Sequence, residues 1–377
     1  MTSGGSPSPR GEAPGRIDAP AGEPPGEASA ECTAPESSPA GRPRSEPVPL
    51  AFTPTEPFRP ARGAAGPQRQ TLLAHLVRRP RPPPLRRERV DTHDGDFIDL
   101  DWLPDGAGPL LVILHGLEGS ARSHYARGLL AEAARRGWRA VVVHFRSCSG
   151  EVNRRPRLYH SGETGDLDWA IRRLRALAPA APVGIVGISL GGNVALKWLA
   201  EHGEAAPAEA AAAISTPFDL AACAGVLDRG LRRRLYTAGF LRTMKAKLRQ
   251  KAALLDGLVD LVVAERARTF AEYDRHVTAP LHGFADEHDY WARSSSGPYL
   301  PRIRRPCLLI NALNDPFVPP TALPLSSVAA SPWLRACFPA QGGHVGFLDG
   351  PFGRSSWAER EAMAFLARHV GAPASAG

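Results

Sequence analysis

The sequence predicts an α/β fold, with a mostly parallel sheet, helices on both faces and a helical insertion late in the chain. Short runs of Val, Leu and Ile recur along the chain, as in strands buried on both faces of a sheet. Amphipathic segments of helical period alternate with these runs, which is typical of a parallel sheet. At residues 187–191 one apolar run ends in Gly-Ile-Ser-Leu-Gly, and a helical pattern follows.

Composition divides the 377 residues into three parts. Residues 1–50 are rich in Pro, Gly, Ala, Ser and Glu, and we expect a disordered tail because they hold too little apolar surface to offset the entropy of folding. Residues 51–90 form a basic arm rich in Pro and Arg, with Phe52 and Phe58 as candidate anchors to the fold. Residues 91–370 carry the α/β pattern and form the main domain.

The formal net charge of +8 is concentrated in two segments. Residues 69–90 carry seven Arg and one Glu, residues 229–251 carry six Arg and three Lys without an acid, and the remainder sums to −7. Neither segment resembles a known nucleic-acid motif, so we expect no nucleic-acid partner. The second segment could make a peripheral contact with an anionic membrane surface, or it could pack its apolar face against the core.

Five cysteines, an odd number with no Cys-x-x-Cys spacing, argue against a disulfide framework or a zinc site. The sequence shows neither the apolar core of a signal peptide nor a run of about 18 apolar residues. We therefore expect a cytoplasmic protein that has no membrane-spanning helix and that needs no metal or other cofactor.

The elements of the sheet follow in order along the chain. Residues 97–102 alternate apolar with acidic side chains, which predicts a half-exposed strand. Buried strands are predicted at residues 109–114, 138–145, 183–186, 211–215, 307–312 and 335–338. Helices are predicted to begin near residue 70, to run from Ser123 to Gly137 and over residues 167–177, to begin again at residue 194, and to run from 357 to 370.

Residues 220–299 form the predicted insertion, which is helical and basic. Its apolar residues repeat at helical spacing and define one face of an amphipathic helix, comprising Leu231, Leu235, Ala238, Leu241, Met244 and Leu248. The segment lies between two predicted strands, in the place where a cap often covers an active site.

Ser189 is the candidate nucleophile because it lies between Gly187 and Gly191 at a strand-to-helix turn, the setting of a nucleophile elbow. Such a turn is so tight that side chains two positions before and after the serine would clash, and glycine removes the Cβ. An ordinary glycine-rich turn between a strand and a helix is the structural alternative.

A serine nucleophile needs a base that takes its proton and an acid that orients the base. On sheets with this elbow the partners follow in the order Ser, Asp or Glu, His, each after a strand. Of the histidines that follow Ser189 in the chain, only His344 has a predicted strand immediately before it and glycines beside it. Asp315 and Asp219 both end strands after the serine, and Asp219 could instead cap the helix that begins at Leu220.

A tetrahedral intermediate also needs two backbone N–H groups that stabilise its oxyanion. Leu190 follows the nucleophile directly and should provide one of them. The loop after the first buried strand should provide the other, and Leu117 is the candidate there.

Several loops together resemble those of the YheT-like α/β-hydrolases, from about Phe58 to Val370. The motifs that carry this resemblance are His-Gly-Leu-Glu-Gly-Ser at 115–120, Cys-Ser-Gly-Glu-Val-Asn at 148–153, Tyr-His-Ser-Gly-Glu-Thr at 159–164, Gly-Ile-Ser-Leu-Gly-Gly-Asn at 187–193, Thr-Ala-Pro-Leu-His-Gly-Phe at 278–284, Asn-Asp-Pro-Phe at 314–317 and Gly-Gly-His-Val-Gly-Phe at 342–347. One departure is Ser147, where the family pattern has glycine.

The resemblance implies an α/β-hydrolase fold and esterase-like activity, with nucleophile, acid and base at Ser189, Asp315 and His344. We therefore expect a serine hydrolase that cleaves small-molecule carboxylic esters, with short- to medium-chain or lipid-like acyl groups, through an acyl-enzyme. An acyltransferase or thioesterase with the same residues is the alternative. A non-catalytic binding protein on the same scaffold is a third hypothesis.

Overall fold

A computed structural model describes residues 52–370, so the predicted disorder of residues 1–50 lies outside the described residues. An eight-stranded sheet forms the centre of the fold. Its strands are β1 Arg86–Asp91, β2 Phe97–Leu103, β3 Leu110–Leu114, β4 Arg139–Val143, β5 Val183–Ile188, β6 Ala210–Ile214, β7 Cys307–Ile310 and β8 Leu334–Cys337. Two short strands, β9 Leu348–Asp349 and β10 Ser355–Ser356, pair separately.

Helices lie between the strands and after them. They are α1 Pro67–Val77, α2 His124–Arg135, α3 Gly165–Leu177, α4 Leu190–His202, α5 Leu220–Leu227, α6 Gly230–Arg232, α7 Ala238–Gln250, α8 Ala252–Leu255, α9 Leu261–Arg266, α10 Phe270–Tyr273, α11 Ala279–His282, α12 Glu287–Ser294, α13 Leu325–Ala330 and α14 Trp357–Val370. Two π-helical turns, Arg233–Thr237 and Asp274–Thr278, interrupt the insertion. No helix in residues 52–370 is long and apolar enough to cross a bilayer.

The strand order is β1-β2-β4-β3-β5-β6-β7-β8, with parallel pairing from β4 to β8 and antiparallel pairing of β2 with β1 and β4. Side chains of β3 alternate between two apolar cores: Val112 packs in one, and Leu111 and Ile113 pack in the other. Because both faces are covered, the strand is apolar throughout. The predicted mostly parallel α/β fold is confirmed.

The prediction that residues 97–102 form a half-exposed strand is wrong. Asp99 and Asp101 of β2 are buried, because arginines of the neighbouring β1 cover them. The Arg89 Nε lies 2.9 Å from an Asp99 oxygen, and the Arg87 Nε lies 2.7 Å from an Asp101 oxygen. Part of the basic arm is therefore an edge strand whose cations neutralise the acids of β2, so the sheet begins before residue 91.

Between β6 and β7 the described chain forms a series of short helices joined by turns, with no strand, and its apolar residues do not share one continuous face. The π-helical turn before α7 rotates the side chains that precede it relative to those that follow. Leu241 and Leu248 are buried against the core, whereas Leu231 is 64% exposed and Leu235 is 43% exposed. The predicted amphipathic helix is thus divided into two parts: the C-terminal part, α7, packs against the core, and the N-terminal turn is exposed to solvent.

Candidate active site

Ser189 lies at the turn between β5 and α4, with φ of 52° and ψ of −119°. A positive φ with this ψ is a strained conformation for a residue with a side chain. A Cβ at Gly191 would lie 2.5 Å from the Leu114 carbonyl oxygen, and a Cβ at Gly187 would overlap the Gly191 carbonyl oxygen. The two glycines therefore permit the turn that places the Ser189 side chain above the end of the sheet.

Replacing Gly191 by alanine should lower the free energy of unfolding by about 3 kcal/mol, because backbone carbonyls on β3 cannot move away from the new methyl group. Urea unfolding measures the effect. Gly225→Ala is the matched control, since a Cβ there meets no atom within 4 Å, and we expect it to be neutral or slightly stabilising in α5. Equal destabilisation by both variants would contradict the steric explanation.

The structure brings Ser189, His344 and Asp315 together. The Nε2 atom of His344 lies 3.0 Å from the Ser189 Oγ, and its Nδ1 lies 2.9 Å from an Asp315 oxygen. Asp315 also accepts backbone N–H bonds from Phe317, at 2.7 Å, and Val318. The Phe317 ring stacks on the imidazole with centroids 4.0 Å apart, which fixes the plane of the ring.

Asp219 does not join this group. Its carboxylate accepts the N–H of Ala222 at 3.0 Å and caps the N-terminus of α5. Asp219 is thus a helix cap in the structure, and Asp315 is the acid that contacts His344.

Leu117 and Leu190 both line the pocket that contains Ser189. The amides on either side of Leu117 are engaged, because Gly116 donates to the Tyr125 hydroxyl at 3.0 Å and Glu118 donates to the Tyr159 hydroxyl at 2.8 Å. Among the described residues, neither leucine amide donates to another protein group. These two N–H groups are therefore available for an anion beside Ser189.

His115, which precedes this loop, is fully buried and holds it in place. Burial lowers the pKa of His115 to about 3, so the ring is neutral. Its Nδ1–H donates to the Gly116 carbonyl at 2.8 Å, and its Nε2 accepts the N–H of Phe145 at 3.1 Å. The histidine thus joins the loops that follow β3 and β4.

A largely apolar pocket of about 890 Å³ opens above Ser189. The insertion supplies one wall with Tyr236, Phe240, Met244 and Trp291, among others. Lys247 of α7 reaches the loop beside Leu117, where its Nζ lies 2.6 Å from a carboxylate oxygen of Glu118. The insertion is therefore a cap that contacts the candidate oxyanion loop directly. No local sequence pattern predicts this ion pair, because its partners are 129 residues apart.

Asp274 lines the same pocket and accepts hydrogen bonds from Thr278, at 2.7 Å, and from the indole of Trp291, at 2.9 Å. Burial raises its pKa from the ordinary 3.8 to about 7. The folded protein thus holds this proton more tightly than the unfolded chain. The tighter binding of this proton by Asp274 contributes to the free energy of unfolding. That contribution is complete below about pH 4 and is lost as the pH rises to about 7.

Asp274→Asn removes this titration while keeping an acceptor for Trp291. The variant should therefore gain stability over the wild type as the pH rises from about 4 to 7, by about 4 kcal/mol at most. Parallel urea unfolding series at several pH values measure the difference. A difference that stays constant with pH would show that Asp274 is already ionised in the folded protein.

Helix α1 of the basic arm supports the loop that carries His344. The N–H of His344 donates to the Thr71 Oγ at 2.9 Å, and the N–H of Leu348 donates to the Gln70 Oε1 at 2.7 Å. A Cβ at Gly346 would lie 2.5 Å from the Gln70 carbonyl oxygen, so loop and helix are in close contact. The sequence offered no signal for this support, since the partners are more than 270 residues apart.

Thr71→Val keeps the shape of the side chain but removes the acceptor for His344. We expect kcat for ester cleavage to fall about tenfold with little change in KM, because an unsatisfied N–H at this loop costs about 1–3 kcal/mol. Steady-state kinetics separate the two constants. Thr71→Ser retains the hydroxyl and should restore kcat, and a loss in both variants would place the effect elsewhere.

Ser147, the departure from the family pattern, has φ of 64°, a region that favours glycine. Its Oγ donates to the Asn153 Oδ1 at 2.6 Å and accepts the Asn153 N–H at 3.0 Å. Lys251 of the cap donates to the same Oδ1. These bonds stabilise the strained residue and tie the loop to the cap.

Comparisons with known proteins agree with this architecture. A sequence model of the alpha/beta hydrolase fold matches residues 109–351. The chain is 40% identical to "Putative esterase YheT" of Escherichia coli K12, over 79% of this chain and 89% of that protein. It is 29% identical to human "Phospholipase ABHD3", over 76% and 72% of the two chains.

A solved structure, the esterase Pf2001 of Pyrococcus furiosus, superposes with a TM-score of 0.51 at 16% identity, covering 76% of this chain and 93% of that one. At 16% identity, this likeness shows a shared fold only. The match to the family model and the 40% identity to the YheT protein also show membership of the family. The chain therefore belongs to the α/β-hydrolase family, and within it to the YheT-like proteins that its loop motifs indicate.

Proposed function

We propose that this protein is a serine esterase that cleaves carboxylic esters through an acyl-enzyme. The observation that carries the proposal is the continuous set of contacts from Ser189 Oγ to His344 Nε2 and from His344 Nδ1 to Asp315, at the base of an apolar pocket. A base that contacts both a serine hydroxyl and a carboxylate can activate that hydroxyl.

In the proposed first step, Ser189 Oγ attacks the ester carbonyl while its proton passes to His344 Nε2. The carbonyl oxygen becomes an oxyanion that accepts bonds from the N–H groups of Leu117 and Leu190. Collapse of the intermediate breaks the ester C–O bond, and His344 gives its proton to the departing alcohol. Asp315 holds the imidazole in the tautomer with the proton on Nδ1 and stabilises its cation.

Water then attacks the acyl-enzyme, with His344 as general base, and releases the carboxylic acid and free Ser189. Every proton moves between the substrate, water and the described side chains, so the proposed reaction uses no metal or cofactor. The pocket volume of about 890 Å³ and its apolar walls support short- to medium-chain or lipid-like acyl groups as substrates. Similarity to proteins named as an esterase and a phospholipase supports ester cleavage as the reaction class.

A panel of p-nitrophenyl esters from acetate to palmitate tests the proposed activity. We expect measurable turnover, with kcat/KM rising from acetate to medium-chain esters as the acyl chain fills the pocket. Adding an alcohol as a competing acceptor distinguishes hydrolysis from acyl transfer through the products. Turnover no faster than the buffer blank for every ester would overturn the proposal.

We also propose a reducing, cytoplasmic location. Four cysteines in the described residues are free thiols, namely Cys148, Cys223, Cys307 and Cys337. Burial raises the pKa of Cys148 to about 11 and that of Cys307 to about 12, so these thiols stay protonated and unreactive. Immunofluorescence or fractionation of the native cells tests the location, and recovery outside the cytoplasm would contradict it.

A further inference from the structure

Exposed aliphatic side chains surround the mouth of the pocket. Leu72 and Leu76 of α1 line it and are 39% and 61% exposed, and Leu235 of the cap lines it and is 43% exposed. Leu231 lies one turn away and is 64% exposed. The two segments meet here, since the Tyr236 hydroxyl of the cap donates to the Gln68 side chain of α1. Aliphatic groups from both segments therefore project to solvent around one opening.

A basic groove of about 450 Å³, lined by residues of the cap, adjoins this pocket at Arg242. Six cations line it, together with one acid, Glu265; the cations are Arg233, Arg234, Arg242, Lys245, Arg249 and Arg268. Arg249 pairs with the Glu265 carboxylate at 2.8 Å, and Lys245 donates to the Glu265 carbonyl at 2.7 Å. The acid in the groove is therefore already neutralised.

The other four arginines have no such partner. Within residues 52–370, the guanidinium groups of Arg233, Arg234, Arg242 and Arg268 make no ion pair with a carboxylate. Arg242 lines both the groove and the pocket, so the positive charge continues to the mouth. A concentration of unpaired guanidinium groups favours phosphate, which each can bind through two N–H groups.

We infer that the pocket mouth and the basic groove together dock on the surface of an anionic lipid bilayer. The docking surface comprises Leu72, Leu76, Leu231, Leu235, Arg233, Arg234, Arg242 and Arg268. Its leucines enter the boundary between headgroups and acyl chains, and its arginines bind headgroup phosphates. A neutral protein partner would leave the four arginines unpaired, whereas an anionic bilayer matches both the charge and the aliphatic groups.

Docking in this orientation directs the mouth of the pocket toward the lipid. An ester in the bilayer could then pass its acyl chain from the membrane into the apolar pocket without crossing water. Binding to the bilayer does not depend on the reaction of Ser189. Only the delivery of lipid esters rests on the proposed function, so binding and turnover are measured separately.

Vesicle sedimentation with full-length protein tests the inference. Vesicles of phosphatidylcholine with about a third phosphatidylglycerol are compared with phosphatidylcholine alone, at low salt and at about 0.15 M salt. We expect binding to the anionic vesicles only, and weaker binding at the higher salt. Ser189→Ala should bind as the wild type does, which separates docking from catalysis. Failure of the wild type to bind anionic vesicles at low salt would overturn the inference, whatever its esterase activity.

Arg234→Gln with Arg268→Gln should weaken binding to the anionic vesicles about 25-fold, at about fivefold for each arginine near the surface. The control is Arg302→Gln with Arg368→Gln, which removes two exposed cations elsewhere and should bind as the wild type does. Circular dichroism and melting temperatures establish that both double variants are folded. An equal loss of vesicle binding in the two double variants would show that binding depends only on net charge, which would contradict a defined docking surface.

The aliphatic part of the docking surface has its own test. Leu231→Ser should weaken binding several-fold, whereas Leu177→Ser, at a leucine on α3 that is 58% exposed, should not. Equal binding of the Leu231 variant and the wild type would show that no leucine enters the bilayer. A duplex DNA of arbitrary sequence is the competing polyanion. Binding to DNA without binding to anionic vesicles would assign the groove to nucleic acid and overturn the lipid proposal.

Discussion

Ser189→Ala is expected to lower kcat/KM for p-nitrophenyl butyrate by about four to six orders of magnitude. The variant removes the oxygen that lies 3.0 Å from His344 Nε2, so no acyl-enzyme can form. The pocket and the amides of Leu117 and Leu190 stay in place, and a small residual rate above the uncatalysed one should remain. Initial rates measured over a range of enzyme concentrations detect activity at this level.

Ser326→Ala is the matched control, because Ser326 is exposed on α13. It should retain full activity. Melting temperatures of both variants establish that the fold is intact. Retention of more than about 1% of the wild-type rate by Ser189→Ala, with contaminating esterases excluded, would contradict the role of Ser189 as nucleophile.

Asp315→Asn is expected to lower kcat by about 10⁴-fold. The amide is nearly isosteric with the carboxylate, but its NH₂ group would face His344 Nδ1 and favour the wrong tautomer of the ring. It would also lose the charge that stabilises the imidazolium in the transition state. KM should change little, because Asp315 lies behind the histidine and does not reach the substrate.

Asp219→Ala is the comparison that distinguishes the two candidate acids. The structure places Asp219 at the N-terminus of α5, so this variant should lose about 1 kcal/mol of stability and less than tenfold in activity. The loss of kcat should therefore be large for Asp315→Asn and small for Asp219→Ala. The reverse order would assign the acid to Asp219 and invalidate the observed contact as the functional one.

The sequence was sufficient for the parts of the site that rest on local patterns. Gly187 and Gly191, two positions on either side of Ser189, indicate a tight turn, because only glycine avoids a steric clash at these positions. Asp315 and His344 could be placed because each follows a predicted strand, and the carboxyl ends of parallel strands lie at one edge of the sheet. The structure brings all three side chains into contact.

Contacts between distant segments could not be predicted in this way. Strand β1 has the sequence Arg-Arg-Glu-Arg-Val-Asp, which shows no apolar period, because Arg87 and Arg89 pair with the buried acids of β2. The support of His344 by Thr71 joins the first and last parts of the fold, and no local pattern encodes it. The π-helical turn before α7 could not be predicted either. One inserted residue rotates the apolar face of the helix without any change in composition.

Labelling with a fluorophosphonate tests the central claim most directly, because the reagent reacts with a serine only when a neighbouring base has activated it. Intact-mass analysis of the wild type should show one adduct per chain, with fluoride displaced by the Ser189 oxygen, and peptide mapping should place the adduct on residue 189. Ser189→Ala should take up no label under the same conditions. A wild-type protein that remains unmodified, or an alanine variant that is labelled to the same extent, would contradict the assignment of Ser189 as an activated nucleophile.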